Sequence, residues 1–209
     1  MNTHYPTEGP PPPEERRRRL RETLELARRS PPSPTAFAVG AVIVAADGTR
    51  MATGYSRETH PTDHAEEAAL AKLAADDPRL VGAVLYSSLE PCGQRASRPT
   101  TCAELIIAAG IPTVVYAWRE PPLFVTAAGD HRLRAAGVTV LEEPALAAEA
   151  REINRALFRK PEPEPESEAE PEPKPEFETE PEPEPEPEPD AASGPAPAPP
   201  ARPDAQDHP

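Results

Sequence analysis

"HAEEAAL" at residues 64–70 opens a helix on a histidine, with a glutamate two places later. "LEPCGQRASRPTTCAEL" at 89–105 holds the only two cysteines of the chain, Cys92 and Cys102. Cys102 also opens a helical stretch, "CAELIIAAG", and Cys92 ends the turn that leaves the apolar run "VGAVLYSS" (81–88). Three residues of metal-binding types therefore stand at the ends of elements, where neighbouring loops of one sheet edge converge.

The elements around this stretch follow from pattern. "AFAVGAVIVA" (36–45) reads as a buried strand, "ADG" as a turn and "RMATGYS" (50–56) as a returning strand, which makes a hairpin. The loop "RETHPTD" leads to a helix from His64 to about Ala75, with Asp63 expected at the N-cap and Glu66 and Glu67 in the first turn. Strand three spans 81–88, strand four "PTVVYAW" (112–118) and strand five "GVTVLE" (137–142). A helix over 14–29 puts Leu20, Leu24 and Ala27 on one face, and an amphipathic helix over 144–160 closes the domain. Helices alternating with strands after a hairpin predict a three-layer α/β/α sandwich. Its five-stranded sheet should be mixed, antiparallel at the hairpin and parallel at the helical crossovers.

Charge divides the chain. Residues 161–209 carry 17 of the 33 prolines and 16 acids against 2 bases, which accounts for the whole net charge of -14 and leaves residues 1–160 neutral. A Pro–Glu alternation buries almost nothing and blocks backbone pairing, so 161–209 is expected to be an extended, disordered, solubilising tail. Residues 1–13 are expected to be disordered as well, leaving a domain at 14–160. The arginines of "EERRRRLRETLELARRS" interleave with glutamates at helical spacing and read as a solvated face. A neutral domain with an acidic tail lacks the positive path that a nucleic-acid backbone requires. No basic start precedes an apolar stretch at the N-terminus, and no apolar run approaches the roughly 20 residues of a membrane span. The expected location is cytoplasmic.

Two thiolates and an imidazole suit Zn2+ in tetrahedral geometry. Three protein ligands, His64, Cys92 and Cys102, leave the fourth position open, which marks a catalytic rather than a structural site. Glu66 lies ~200° round a straight helix from His64. From the first turn it can still reach a pocket beside the metal as a general acid/base that is not a ligand. A closed alternative would add His60, in an H-x3-H spacing with His64. Pro61 keeps His60 off the helix, and the nine residues between the cysteines are too many for a zinc finger.

"HAE", then "EPC" and a second cysteine, resembles the zinc-dependent cytidine/deoxycytidylate deaminase superfamily. Within it, "VGAVIV", "SLEPC", "CAELIIAAGI" and Arg98, four residues before the second cysteine, resemble the riboflavin-pathway pyrimidine deaminases. Gln94 stands where that branch has a histidine. The resemblance implies a hydrolytic deaminase that removes an exocyclic amine from a free pyrimidine-type nucleoside, nucleotide or related heterocycle and releases ammonia. Its implied parts are Zn2+ on His64, Cys92 and Cys102, proton transfer by Glu66, a small heterocyclic amine as substrate and a homo-oligomeric assembly. Phe37 packs either against the base or into the core. Arg95 and Arg98 either hold a phosphate or are solvated loop charges. Three other readings stand beside this one: the diaminohydroxyphosphoribosylaminopyrimidine deaminase of riboflavin biosynthesis, a non-catalytic deaminase-fold binding module, and a nucleic-acid editing deaminase.

Overall fold

Leu20, Leu24 and Ala27 recur at helical spacing and are buried to 1% exposure or less, so α1 (Pro13–Ala27) lies on the sheet by the stripe the sequence predicts. The structure is a computed structural model and describes residues 9–121 and 128–158. The expected tail, 161–209, and residues 1–8 of the expected disordered N-terminus lie outside the described residues.

The apolar run at 40–44 forms β1 (Gly40–Val44), every residue of it buried, and β2 (Arg50–Tyr55) returns antiparallel across the Asp47–Gly48 turn. After α2 (Ala65–Leu70) comes β3 (Val84–Ser87), antiparallel to β1. The chain then alternates through α3 (Cys102–Ala108), β4 (Thr113–Tyr116), α4 (Gly129–Ala135) and β5 (Thr139–Glu142), with β3, β4 and β5 parallel. The sheet order is β2-β1-β3-β4-β5, the expected mixed five-stranded sheet.

Two glycines explain how helices cover both faces. A Cβ on Gly40 would sit 2.1 Å from the Thr23 carbonyl oxygen of α1, and one on Gly54 would sit 2.2 Å from the Ala65 carbonyl oxygen of α2. Gly54 pairs with Ala41, and successive residues of a strand face opposite sides, so α1 and α2 flank opposite faces. α3 and α4 join α2 on its face, while α5 (Ala147–Ile153) joins α1. These are the three layers.

Four expectations change. The helix from His64 ends at Leu70 rather than Ala75, in a tight turn where the Leu73 N–H donates to the Leu70 carbonyl. Lys72 is then free to bond the Thr53 carbonyl of β2 and Glu58, both at 2.7 Å. The single helix expected over 144–160 is interrupted, with a 3-10 turn at Pro144–Leu146, then α5, then a second 3-10 turn at Arg155–Phe158; residues 159–160 lie outside the described residues. Asn154 makes the second break. Its Oδ1 accepts from the Ala38 N–H at 2.7 Å and its Nδ2 donates to the Ala38 carbonyl at 3.0 Å, pinning the strand lead-in beside Phe37. Third, α4 was not foreseen. Fourth, Arg19 is 7% exposed rather than solvated, bonded to Glu15 at 2.8 Å and to the Gly48 carbonyl at 2.8 Å. Among the described residues no helix is long and apolar enough to cross a membrane.

Candidate functional site

The ends of α2, β3 and α3 meet, as the spacing of their residues requires. His64 is the N-cap of α2, a role the sequence assigned to Asp63, with an extended backbone (φ -89°, ψ 156°). Asp63 instead bonds the His60 N–H at 2.8 Å and Arg98 at 2.7 Å. Cys102 is the first residue of α3 behind the Thr101 cap, and Cys92 follows β3 by five residues.

His64 Nδ1 lies 3.5 Å from Cys92 Sγ and 3.4 Å from Cys102 Sγ, and the three donor atoms all lie within 4.8 Å of one another. Tetrahedral zinc, with bonds of about 2.0 Å to nitrogen and 2.3 Å to sulfur, sets neighbouring nitrogen and sulfur donors roughly 3.6 Å apart. The set fits. The Cys92 thiol is pulled down, first by the hydrogen bond from Cys102 and then by His64. The same hydrogen bond and burial push Cys102 up. Two thiols that compete for one proton at a buried site are what a divalent cation resolves, since it favours both thiolates. His60 stays outside the cluster, exposed, its Nδ1 bonded to Thr62 Oγ1 at 2.9 Å.

Glu66 is 3% exposed on the first turn of α2. Ser87, the last residue of β3, donates to its Oε1 at 2.7 Å. Burial raises the pKa of Glu66, with the Ser87 hydrogen bond opposing. A carboxyl raised by burial and fixed at one oxygen suits proton transfer near neutral pH.

His64, Glu66 and Cys92 border a cavity of about 330 Å³, within the range of small-molecule sites. Phe37 lines it and also meets Trp118 edge to face at 5.8 Å, so it serves both cavity and core. Arg95 reaches the cavity wall, but its side chain is only 2% exposed and is bonded to Glu67 at 3.1 Å and the Thr62 carbonyl at 2.8 Å. Arg98 pairs with Asp63 at 2.7 Å and Glu67 at 3.0 Å and is not among the lining residues. Two arginines and two acids thus form a neutral network beside the metal cluster. Gln94 lines the cavity.

Sequence reasoning missed three carboxylate and hydroxyl partners. Ser87 is one. Glu90 is buried, accepting the Asp130 N–H at 2.9 Å and the Glu120 N–H at 3.3 Å, so it ties the cysteine loop to the start of α4. Glu120 lines the cavity at 8% exposure, and its Oε2 has no hydrogen-bond partner among the described residues. Burial, reinforced by Cys92, Glu90 and Glu66, pushes its pKa to about 8. The only sequence signal for any of these was Glu90's place in "LEPC".

Known proteins resemble this chain in sequence and in fold. A diaminohydroxyphosphoribosylamino-pyrimidine deaminase of Schizosaccharomyces pombe is 41% identical over 124 residues, 58% of this chain and 30% of the relative. Riboflavin biosynthesis protein RibD of Escherichia coli is 32% identical over 145 residues, 68% of this chain and 37% of the relative. The chain therefore spans about a third of the length of these curated relatives. Among solved structures, a Thermotoga maritima deaminase/reductase of the same name as the first relative superposes with a TM-score of 0.56 at 32% identity, covering 68% of this chain and 39% of that one. The Rib2 deaminase of Aspergillus oryzae in complex with DARIPP superposes at 0.54 with 28% identity, covering 70% and 98%. The model of the cytidine and deoxycytidylate deaminase zinc-binding region matches residues 13–118, which contain the whole cluster, and the chain belongs to that family.

Proposed function

We propose that the chain is a zinc-dependent hydrolytic deaminase and that its substrate is the phosphorylated diaminopyrimidine for which its Schizosaccharomyces pombe relative is named. The observation that carries the reading is a buried, Ser87-held carboxylate, Glu66, beside a His–Cys–Cys donor set, with Glu66, His64 and Cys92 lining one cavity. The relatives support the riboflavin-pathway substrate over the broader class of pyrimidine nucleosides and nucleotides. Zinc, held by His64, Cys92 and Cys102, supplies when bound the Lewis acidity that makes water nucleophilic near neutral pH.

The rest of the chemistry belongs to the chain. Water adds to the amine-bearing ring carbon, and Glu66 takes one proton from it and delivers that proton to the adjacent ring nitrogen. Glu66 then moves the second proton from the new hydroxyl to the leaving amine, the carbon–nitrogen bond breaks, and a carbonyl and ammonia result. One carboxylate serves both transfers because Ser87 fixes its position while burial keeps its proton affinity high. Phe37 offers an apolar edge for the ring, and the unpartnered oxygen of Glu120 offers a polar contact for the ring's N–H groups. The homo-oligomer implied by the resemblance belongs to the same proposal.

The test is ammonia release from a panel of cytidine, dCMP, cytosine, guanine and the riboflavin-pathway diaminopyrimidine phosphate. Turnover of the last alone supports the proposal. Turnover of cytidine or dCMP instead moves the chain to another branch, and no turnover by folded, zinc-loaded protein leaves a binding module.

A further inference from the structure

We infer that Arg57 holds the anionic end of the substrate and so sets the preference for a phosphorylated heterocycle; this rests on the deaminase reading above.

Arg57 follows β2 and, among the described residues, is the only non-glycine with a positive φ, at 62°. Its N–H donates to the Asp63 carbonyl at 2.8 Å, closing the loop that ends at His64. A left-handed conformation costs a non-glycine residue on the order of 1 kcal/mol, and glycine would occupy it more easily. An arginine kept there points to work for its side chain.

Arg57 is one of the residues that line the cavity. Its Nε and Nη2 donate to the Pro31 carbonyl at 2.9 and 2.6 Å, and its Nη1 donates to the Phe37 carbonyl at 3.0 Å. Both partners of these three bonds are neutral carbonyls on the segment that carries Phe37. Among the described residues no carboxylate pairs with it. Of the five N–H donors of a guanidinium, three are used here and two are left for an anion such as a phosphate. Burial lowers its pKa with no opposing acid, as expected of a cation that lacks its counter-charge.

The other arginine of the cavity wall, Arg95, is neutralised by Glu67, and Arg98 by Asp63 and Glu67. The positive charge that the sequence assigned to the cysteine loop is therefore spent within the fold. Arg57 supplies it instead, anchored to the backbone that carries Phe37. A substrate whose ring lies by Phe37 would place a negatively charged tail against this guanidinium.

The experiment compares the wild-type chain with Arg57→Gly, which accepts φ 62° without strain, and with Arg57→Lys, which keeps charge but not the guanidinium. Substrates are the diaminopyrimidine ribosyl phosphate and its dephosphorylated form, and inorganic phosphate is the competitor. The ratio of kcat/KM for the phosphorylated over the dephosphorylated form should fall roughly ten- to a hundredfold in Arg57→Gly, with the loss in KM, and recover partly in Arg57→Lys. Competition by inorganic phosphate should weaken in parallel. An unchanged ratio, or an equal loss in kcat on both substrates, overturns the assignment. If the wild-type chain releases ammonia from neither substrate, the deaminase reading fails. Inorganic phosphate binding to wild type and Arg57→Gly, followed by calorimetry, then decides the anion site: weaker binding to the variant supports it, and equal binding, or none to either, overturns it.

Discussion

Replacing Gly129 by alanine would put a methyl group where the backbone of the cysteine loop already stands. A Cβ at 129 lies 1.7 Å from the Pro91 carbonyl oxygen and 2.9 Å from its carbon. Carbon and oxygen need about 3.3 Å, so the two backbones must part by roughly 1.5 Å. No side-chain rotation relieves the contact, because both partners are main chain. Pro91 is joined directly to Cys92, whereas a metal site tolerates about 0.2 Å in its bond lengths. The strain costs about 1–3 kcal/mol of stability if the loop shifts. Because the shift moves a ligand, zinc affinity should fall on the order of 10–100-fold, as when the support of a ligand is lost. The assay is zinc retention against a graded chelator, alongside a thermal melt. Gly110→Ala is the control. Gly110 has φ 69° with nothing within 4 Å of a Cβ, so the variant should lose about 1 kcal/mol and leave zinc untouched. A Gly129→Ala protein that melts early yet holds zinc as tightly as wild type would refute the coupling between α4 and the cysteine loop.

Ser87→Ala should keep the zinc content and lower kcat/KM by roughly 10–100-fold, because a buried charged hydrogen bond of about 1.5–3 kcal/mol is lost from Glu66. The Ser87 bond opposes the burial that raises Glu66, so its loss should also move the acid limb of the pH–rate profile to higher pH; an unmoved limb contradicts this role. Glu120→Gln should change how stability depends on pH. Glu120 titrates at about 8 in the fold against an ordinary 4.5, so the folded chain binds more protons between these values. Its contribution is complete below 4.5 and is lost as pH rises toward 8. Glutamine removes that loss, and urea midpoints at pH 6 and pH 9 should show the variant gaining about 2 kcal/mol on wild type over that interval, allowing for solvent at the cavity mouth. Parallel curves would contradict it.

What the sequence makes legible here is local. His64, Cys92 and Cys102 are rare residue types at element ends, and an α/β sandwich brings such ends together, so the cluster follows from one dimension. The hairpin follows from the apolar run and its Asp47–Gly48 turn. The fates of Arg95 and Arg98 do not, because Asp63 and Glu67, which neutralise them, lie about thirty residues earlier in the chain. Arg57 escapes notice for the converse reason: an arginine in a polar loop looks solvated until its partners among the described residues prove to be carbonyls. Ser87 and Glu120 are single polar residues with no pattern around them, and their importance comes from a neighbour or the lack of one. α4 is a seven-residue helix without a side-chain cap, and its start is held by Glu90, forty residues away. Asn154 breaks an amphipathic pattern that otherwise runs on, because its side chain bonds a strand lead-in more than a hundred residues away.

The most direct measurement is zinc content and ammonia release on one preparation of Glu66→Gln. Histidine and thiolates donate lone pairs to the metal, while the carboxylate stays free to gain and lose a proton. Glu66→Gln should therefore keep about one zinc per chain and a near-native melt, while losing at least the ~10²–10⁴-fold expected of a general acid/base. His64→Ala should lose the zinc, and His60→Ala should keep it. A Glu66→Gln protein that deaminates at the wild-type rate, or a His60→Ala protein stripped of metal, would contradict the division of labour and leave a closed, structural zinc site.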